Sequence, residues 1–318
     1  MTNDTVRPLI TIAIPTYNRA ELFLEEAIRA ALQQTYSNIE IIISDNCSTD
    51  NTEFVVKQFG DQRIRYFRQE KNIGANNNFN FCLQQAKGTY FLLFLDDDQI
   101  DPDFIETCMD AAQDRRDIGI IRTGTRMINE VGEVKFERLN RAEGLSFTEL
   151  LRAWFRNETT FYLCSTLINT TALKEVGGFH SRHNLFQDVG AELKVAARLG
   201  RVDIKEVKAG FRSHDGNMGS AARIHDWCED SLELLDIICG LSDDEDLIRF
   251  EGKRFFCRMN YGRARSIPTL VSRIKSCFFV AKKFDYAEPL FPFIFQKEIR
   301  PFFRSVKNTI FPVGSLSP

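Results

Sequence analysis

Three consecutive aspartates, Asp96, Asp97 and Asp98, end the longest apolar run of the chain, residues 90–95. Carboxylates crowded together repel one another, and a divalent cation or strong hydrogen-bond donors relieve the repulsion. Mg2+ and Mn2+ are commonly held by one or two carboxylates, with water and phosphate oxygens completing the shell. The trio therefore points to a Mg2+ or Mn2+ ion beside a diphosphate; the plainer alternative is a solvated loop with a helix cap. A strand period of two carried through the trio puts Asp96 and Asp98 on one side and Asp97 on the other. Asp45 follows a second apolar run, residues 39–43, and suits hydrogen bonds from a base or ribose. It equally suits a helix cap, although Ser48, Thr49 or Asp50 is better placed for that. A third polar loop, Pro15-Thr16-Tyr17-Asn18, follows residues 9–14. Asn72, Asn76, Asn77, Asn78 and Asn80 offer amides to a polar ligand, but asparagine also marks turns, and most of these read as structural.

Such loops need a scaffold that gathers them. The first 125 residues alternate β-branched or aromatic runs (9–14, 39–43, 64–67, 90–95, 118–121) with helical spacings such as Leu24, Ala27, Ile28, Ala31 and Leu32. Continuous apolar strands separated by helices imply an α/β fold, a mostly parallel sheet flanked by helices on both faces. Ligands in such sheets bind beyond the C-terminal strand ends, where Thr16, Asp45 and Asp96 fall. Asp101 before Pro102 reads as the start of the next helix, with Asp101 as its cap and Pro102 at the first helical position.

The pattern weakens between residues 126 and 160. Ser146 and Glu149 form a capping box that opens a helix through Leu150, Leu151 and Trp154. Residues 161–168 read as a strand and Gly177-Gly178-Phe179 as a turn. A helix begins at Asp188, which on position alone is a cap. A boundary falls near residue 224. Residues 226–246 hold nine acidic and no basic side chains, whereas residues 249–318 hold 14 basic and four acidic ones with 12 of the 28 Phe. Ser242 and Glu245 suggest a further capping box, so region 225–318 reads as a helical, basic, Phe-rich appendage. Its Phe pairs lie among Arg254, Arg258, Lys282, Lys283, Arg300 and Arg304, which suits peripheral contact with an anionic membrane. Packing onto the rest of the chain, or a dimer contact, accounts for them equally well.

With 318 residues, 43% hydrophobic and 27% charged, the chain has room for about two globular domains and is not disordered. A net charge of −3 with scattered basic residues argues against nucleic acid as a partner. Neither a secretory signal nor a run long enough to span a membrane is evident. The expected location is cytoplasmic, peripheral on the inner face of the cell membrane if the tail binds lipid. Eight Cys without metal-binding spacing read as small core residues in a reducing compartment.

In order, Ile12-Ala13-Ile14-Pro15-Thr16-Tyr17-Asn18-Arg19, Ser44-Asp45-Asn46-Cys47-Ser48-Thr49-Asp50, Lys71-Asn72-Ile73-Gly74 and Leu95-Asp96-Asp97-Asp98 resemble the nucleotide-binding half of a family 2 glycosyltransferase with the Rossmann-like GT-A fold. Gly177-Gly178-Phe179 followed by Gln187-Asp188 resembles that family's acceptor-side signature, and the likeness covers roughly residues 8–215. It implies a glycosyltransferase domain over 1–224, with a nucleotide-sugar half at about 8–125 and an acceptor half at about 126–224. It implies metal-dependent, inverting transfer of one sugar from a nucleotide-diphosphate sugar to a glycan or lipid-linked glycan in surface-polysaccharide synthesis. By similarity Thr16 and Asp45 hold the base, with Pro15, Tyr17, Asn18, Lys71, Asn72 and Asp97 around the nucleotide-sugar. Asp96 meets ribose or metal-bound water, Asp98 ligates the Mn2+ or Mg2+, and His214 completes the metal site. Asp188 matches the catalytic base. Gln187 stands where the family commonly has Glu, and Asn46 where an acidic residue is frequent. The Q-x-x-R-W motif of processive synthases is absent after Asp188, which favours single transfers.

Rival classes lack their signatures. A sugar-nucleotide pyrophosphorylase expects G-x-G-x-R after the first strand, an NAD enzyme G-x-G-x-x-G, and a P-loop NTPase its own glycine-rich loop; none is present. A non-catalytic nucleotide-sugar-binding or membrane-adaptor protein of the same fold stays open, and measured transfer separates it.

Overall fold

The structure is a computed structural model that describes residues 7–213 and 222–290. Strands β1 (Ile10–Thr16), β2 (Ile39–Asp45), β3 (Ile64–Arg68) and β4 (Tyr90–Leu93) form from the apolar runs and pair in parallel, in the order β3-β2-β1-β4. β8 (Thr166–Asn169) inserts antiparallel between β4 and β6 (Ile120–Ile128). β9 (Arg201–Arg212) runs parallel to β6, β5 (Gln99–Ile100) closes that edge, and β7 (Val134–Arg138) folds back on β6. Six of the nine strands point the same way, with β5, β7 and β8 reversed. This is the mostly parallel α/β sheet expected.

Strand alternation divides the core. Ile12, Ile14, Tyr90 and Leu92 face α1 (Leu24–Leu32) and α4 (Phe104–Ala111), while Ala13, Phe91 and Leu93 face α3 (Ala75–Gln85), α6 (Thr170–Glu175) and α7 (Gln187–Leu199). A short helix, α2 (Thr52–Lys57), follows β2. A third core lies off the sheet. There α5 (Phe147–Phe155) packs with α8 (Ile224–Leu241), α9 (Glu245–Arg265) and α10 (Leu270–Lys283). Trp154, Phe155, Phe161, Phe186, Phe255 and Phe256 meet there at ring separations of 5.0–6.4 Å. Each such ring contributes about 1.5–3 kcal/mol by burial alone. Phe255, Phe256 and Phe284 are thus internal, whereas Phe250 and Phe278 are exposed. All eight cysteines are free and seven are buried.

Several local expectations need correction. Residues 161–168 are not one strand: a 3-10 turn at Leu163–Ser165 precedes β8. Region 126–160 contains the end of β6, all of β7 and α5. Asp101 does not cap α4, because its carboxylate is drawn to Arg126 and Asp103 occupies the N-cap position. Ser242 forms no capping box; Asp244 caps α9 by accepting the Leu247 amide at 3.1 Å. The box at Ser146 and Glu149 is complete, both hydrogen bonds being present.

β4 ends at Leu93, two residues earlier than the apolar run. The Asp98 amide donates to the Leu95 carbonyl at 3.1 Å, so the three aspartates form a turn and not an extended strand. A turn abolishes the side-to-side alternation expected of Asp96, Asp97 and Asp98.

Candidate active site

The C-terminal ends of β1 and β4, the N-terminus of α3 and the first turn of α7 border a cleft of about 840 Å³. Pro15, Thr16, Tyr17, Asn72, Asp96, Asp97 and Asp188 all line it. Residues far apart in sequence thus share one cavity, as the strand-end rule requires. Asp188 lies in the first turn of α7, after the N-cap residue Phe186, so it is not itself the cap. Its Oδ1 accepts the Val189 amide at 2.8 Å, and burial nevertheless raises its pKa above the ordinary carboxylate range.

Burial also pushes Asp96 up to about 7, the neighbouring charge of Asp97 adding to it. The Thr16 hydroxyl and Arg19 oppose that rise. Asp98 does not line the cleft. Its carboxylate turns inward to accept the Arg212 amide at 3.1 Å, and burial with Asp97 and Asp96 nearby raises its pKa well above normal. Arg212 fastens the turn again, its Nε donating to the Asp97 carbonyl at 2.6 Å and its Nη2 to Glu26 at 3.0 Å. The turn thus carries carboxyls that are costly to ionise together, which is the donor chemistry a hard divalent cation relieves. Among the described residues no group of three or more His, Cys, Asp or Glu forms a ready-made metal cage. His214, expected to complete such a site, lies outside the described residues.

Asp45 sits beside Thr16 in the β1–β2 register. Its oxygens take the Ser48 amide and the Tyr66 hydroxyl, both at 2.7 Å. Asn18 adopts φ 53°, a left-handed conformation asparagine tolerates, and ties the first loop to the second: its amide donates to Ser48 Oγ at 2.9 Å and its Oδ1 accepts the Thr49 amide at 2.8 Å. Neither Asp45 nor Asn18 borders the cavity directly, and Lys71 is exposed outside it. Asn46 Nδ2 donates to Asn72 Oδ1 at 3.0 Å, so two cleft-lining amides brace each other.

The remaining asparagines are largely structural. Asn78 exchanges hydrogen bonds with Ser44, and Asn76 and Asn80 both donate to the Phe179 carbonyl at 2.9 Å. Gly178 is required there: at φ +72°, a Cβ would come within 2.3 Å of Asn80 Oδ1. The Gly-Gly-Phe turn is thereby locked to α3.

Other groups of the cleft carried no signal in spacing. Tyr162 and Phe211 stack at 4.7 Å, and Trp227 from α8 and Arg263 from α9 bring the C-terminal helices to the same wall. Gln187 presents a buried Oε1 without a partner among the described residues. One turn beyond Asp188, buried Glu192 accepts Thr166 Oγ1 at 3.1 Å. Burial pushes its pKa up to about 8.

Sheet order, strand-end cleft and acidic turn together define a GT-A architecture. The Glycosyl transferase family 2 model matches residues 11–177, more than half of the chain, and the protein belongs to that family. A Campylobacter jejuni relative named GalNAc(5)-diNAcBac-PP-undecaprenol beta-1,3-glucosyltransferase is 37% identical over 255 residues, spanning 75% of this chain and 78% of its own. An uncharacterized glycosyltransferase of Rickettsia felis is 33% identical over 66% of this chain. The chain spans only 35% of that relative's length and 41% of a similar one from Rickettsia conorii. Among solved structures, residues 1–349 of S. aureus TarS in complex with UDP-GlcNAc share the fold at TM-score 0.69 and 16% identity, over 92% of both chains.

Proposed function

We propose that this protein is an inverting glycosyltransferase that moves one sugar from a nucleoside-diphosphate sugar to a lipid-linked glycan. The observation that carries this reading is the convergence of Thr16, Asp96, Asp97 and Asp188 on one cleft. The donor's nucleotide lies along Thr16, Asn46 and Asn72, with Asp45 bracing that end. Residues from about 8 to 125 serve the donor, and those from about 126 to 224, completed by α8 and α9, serve the acceptor. Asp188 removes the proton from the acceptor hydroxyl as its oxygen attacks the anomeric carbon, and the bond to the diphosphate breaks in the same displacement. A raised pKa suits that role, since a base works best when it is poised near the operating pH. Mn2+ or Mg2+ would be held by the aspartate turn, Asp96 from the cleft wall and Asp98 once its carboxylate turns from the Arg212 amide toward the cleft, and would neutralise charge on the departing diphosphate. The lipid-linked acceptor is supported by the Campylobacter relative's name, and a role in surface-polysaccharide synthesis extends the same likeness.

Peripheral contact with the cytoplasmic face of the membrane completes the proposal. Among the described residues no helix is long and apolar enough to cross a membrane. The exposed face of α10 carries Val271, Lys275, Phe278 and Lys282, mixing apolar and cationic side chains at helical spacing. Binding to anionic vesicles that weakens with salt supports this contact, and salt-independent binding counts against it.

The central test titrates nucleoside diphosphates against thermal stability in Mn2+, followed by transfer assays with the nucleotide sugar that binds. A ligand at a hundredfold its Kd stabilises by about 2.7 kcal/mol. No stabilisation by any nucleoside diphosphate, together with no transfer, ends the proposal.

A further inference from the structure

Two hollows meet at Trp227 and Arg263. Both residues line the 840 Å³ cleft, and both line a second hollow of about 480 Å³ bordered by Arg223, Ile224, Ser266 and Ile267. The second hollow shares no lining residue with the Thr16–Asn46–Asn72 end of the cleft. The Arg263 guanidinium lies over the Trp227 ring, Cζ 3.6 Å from the ring centre, with the Phe186 ring at 5.9 Å. Other arginines withdrawn from solvent have hydrogen-bonding partners: Arg122 pairs with Asp203, Arg212 with Glu26, and Arg273 donates to the carbonyls of Ile267 and Pro268. Arg263 differs. Among the described residues its Nη1 is buried without any hydrogen-bond partner.

A buried donor left unsatisfied costs about 1–3 kcal/mol, and more when it is charged. Burial lowers the Arg263 pKa to about 10, so the group is still a cation at neutral pH. Stacking fixes the plane of the fork, and a guanidinium held in one plane suits two-pronged recognition of a carboxylate or phosphate. We propose that Arg263, held on Trp227, forms an anion subsite on the acceptor side of the cleft, receiving a carboxylate or phosphate carried by the acceptor glycan. This rests on the glycosyltransferase reading above, and it adds a charge requirement to the acceptor. The donor diphosphate belongs to the aspartate turn, whereas Arg263 adjoins the second hollow, whose lining includes none of Thr16, Asn46, Asn72 or the aspartates.

The test uses the full chain loaded with UDP and Mn2+. Three probes are titrated: glucuronic acid, N-acetylglucosamine 1-phosphate and uncharged N-acetylglucosamine. At least one charged probe should bind about tenfold tighter than the neutral sugar, and Arg263→Gln should shrink that gap below about twofold. Whichever charged probe wins identifies carboxylate or phosphate as the group. Arg263→Lys, keeping charge but not the fork, should fall between. Trp227→Phe, which keeps a ring under the guanidinium, guards against misreading an unfolded variant. Equal binding of all three probes to the unsubstituted protein overturns the inference. So does an Arg263→Gln protein that has lost UDP affinity about tenfold, since the guanidinium would then serve the donor. Should the unsubstituted chain bind no nucleoside diphosphate and transfer no sugar, the glycosyltransferase reading falls, and the probes are titrated onto the unloaded protein. There, a charge preference abolished by Arg263→Gln keeps the subsite, and its absence ends it.

Discussion

The carboxylate of Asp230 on α8 accepts the backbone amide of Leu185, at 3.0 Å, three residues before Asp188. The same carboxylate takes the His183 amide at 2.9 Å and the Ser181 hydroxyl at 2.8 Å, and it is fully buried. A helix from beyond the family-matched region therefore sets the entry to α7. Asp230→Ala would leave the His183 amide and the Ser181 hydroxyl with no acceptor, each costing about 1–3 kcal/mol if it stays dry, and the Leu185 amide with Ser181 Oγ alone. Such a variant should lose several degrees in Tm, and transfer should fall more than UDP binding, because the loop leads to Asp188 and not to the nucleotide end. Calorimetry and a transfer assay on Asp230→Asn, which keeps one acceptor oxygen, check this; unchanged transfer would sever the link to Asp188.

Asp188→Asn keeps the size of the side chain and removes the carboxylate proposed as the base. General-base groups contribute typically about 10²–10⁴-fold. Transfer should drop by about that factor while UDP still raises the melting temperature. Since burial raises the Asp188 pKa, the rate of the unsubstituted protein should decline as pH falls, beginning above the normal carboxylate range. A substituted protein with a normal rate removes Asp188 from the chemistry.

Glu192 makes stability depend on pH in a defined direction. Its folded pKa is raised to about 8, above the value of 4.5 for an exposed glutamate. A group raised on folding contributes stability that is fully present below its unfolded pKa and is lost as pH rises through the folded one. Asp96, raised to about 7, acts with the same sign. Melting temperature should therefore fall between about pH 5 and pH 8, other groups being equal. Glu192→Gln keeps an acceptor for the Thr166 hydroxyl but cannot ionise. Its advantage over the unsubstituted protein should widen with pH across that window, which thermal melts in a buffer series would measure. Parallel curves for the two proteins would mean that Glu192 ionises freely when folded.

Much of this could be read from the chain before any coordinates. Residues 10–16, 39–45 and 90–93 are apolar with β-branched and aromatic character, so their strands and the cleft beyond them follow from local physics. The opening of α7 near Asp188 follows from the Gly-Gly-Phe turn and the apolar spacing after it. What could not be read depends on tertiary contact. β4 stops at Leu93 because the chain must turn, and only the arrival of Arg212 on β9 explains why Asp98 faces inward. Asp101 satisfies every local rule for a cap but is taken by Arg126 from another strand. Trp227 and Arg263 lie 39 and 75 residues after Asp188 on helices whose periodicity reveals which face is buried, not which wall it completes.

The acidic turn leads to the last expectation. Asp96, Asp97 and Asp98 are consecutive, and burial holds two of them well above normal pKa values. A nucleoside diphosphate brings at least two more negative charges to the same wall, and like charges a few ångströms apart disfavour ionisation of both. Arg19 and Arg263 line the cleft, but two guanidinium groups leave part of that charge unbalanced. The nucleoside diphosphate that the chain binds should therefore bind appreciably only with Mn2+ or Mg2+, and EDTA should abolish its effect on Tm. Asp98→Asn should weaken the metal-dependent part of binding by about 10–100-fold, the range found when groups supporting a metal are lost. Isothermal titration of that diphosphate with and without Mn2+ separates the two contributions. Equally tight binding in EDTA would mean that protein cations alone hold the diphosphate, and the aspartate turn would then be a structural brace built around Arg212.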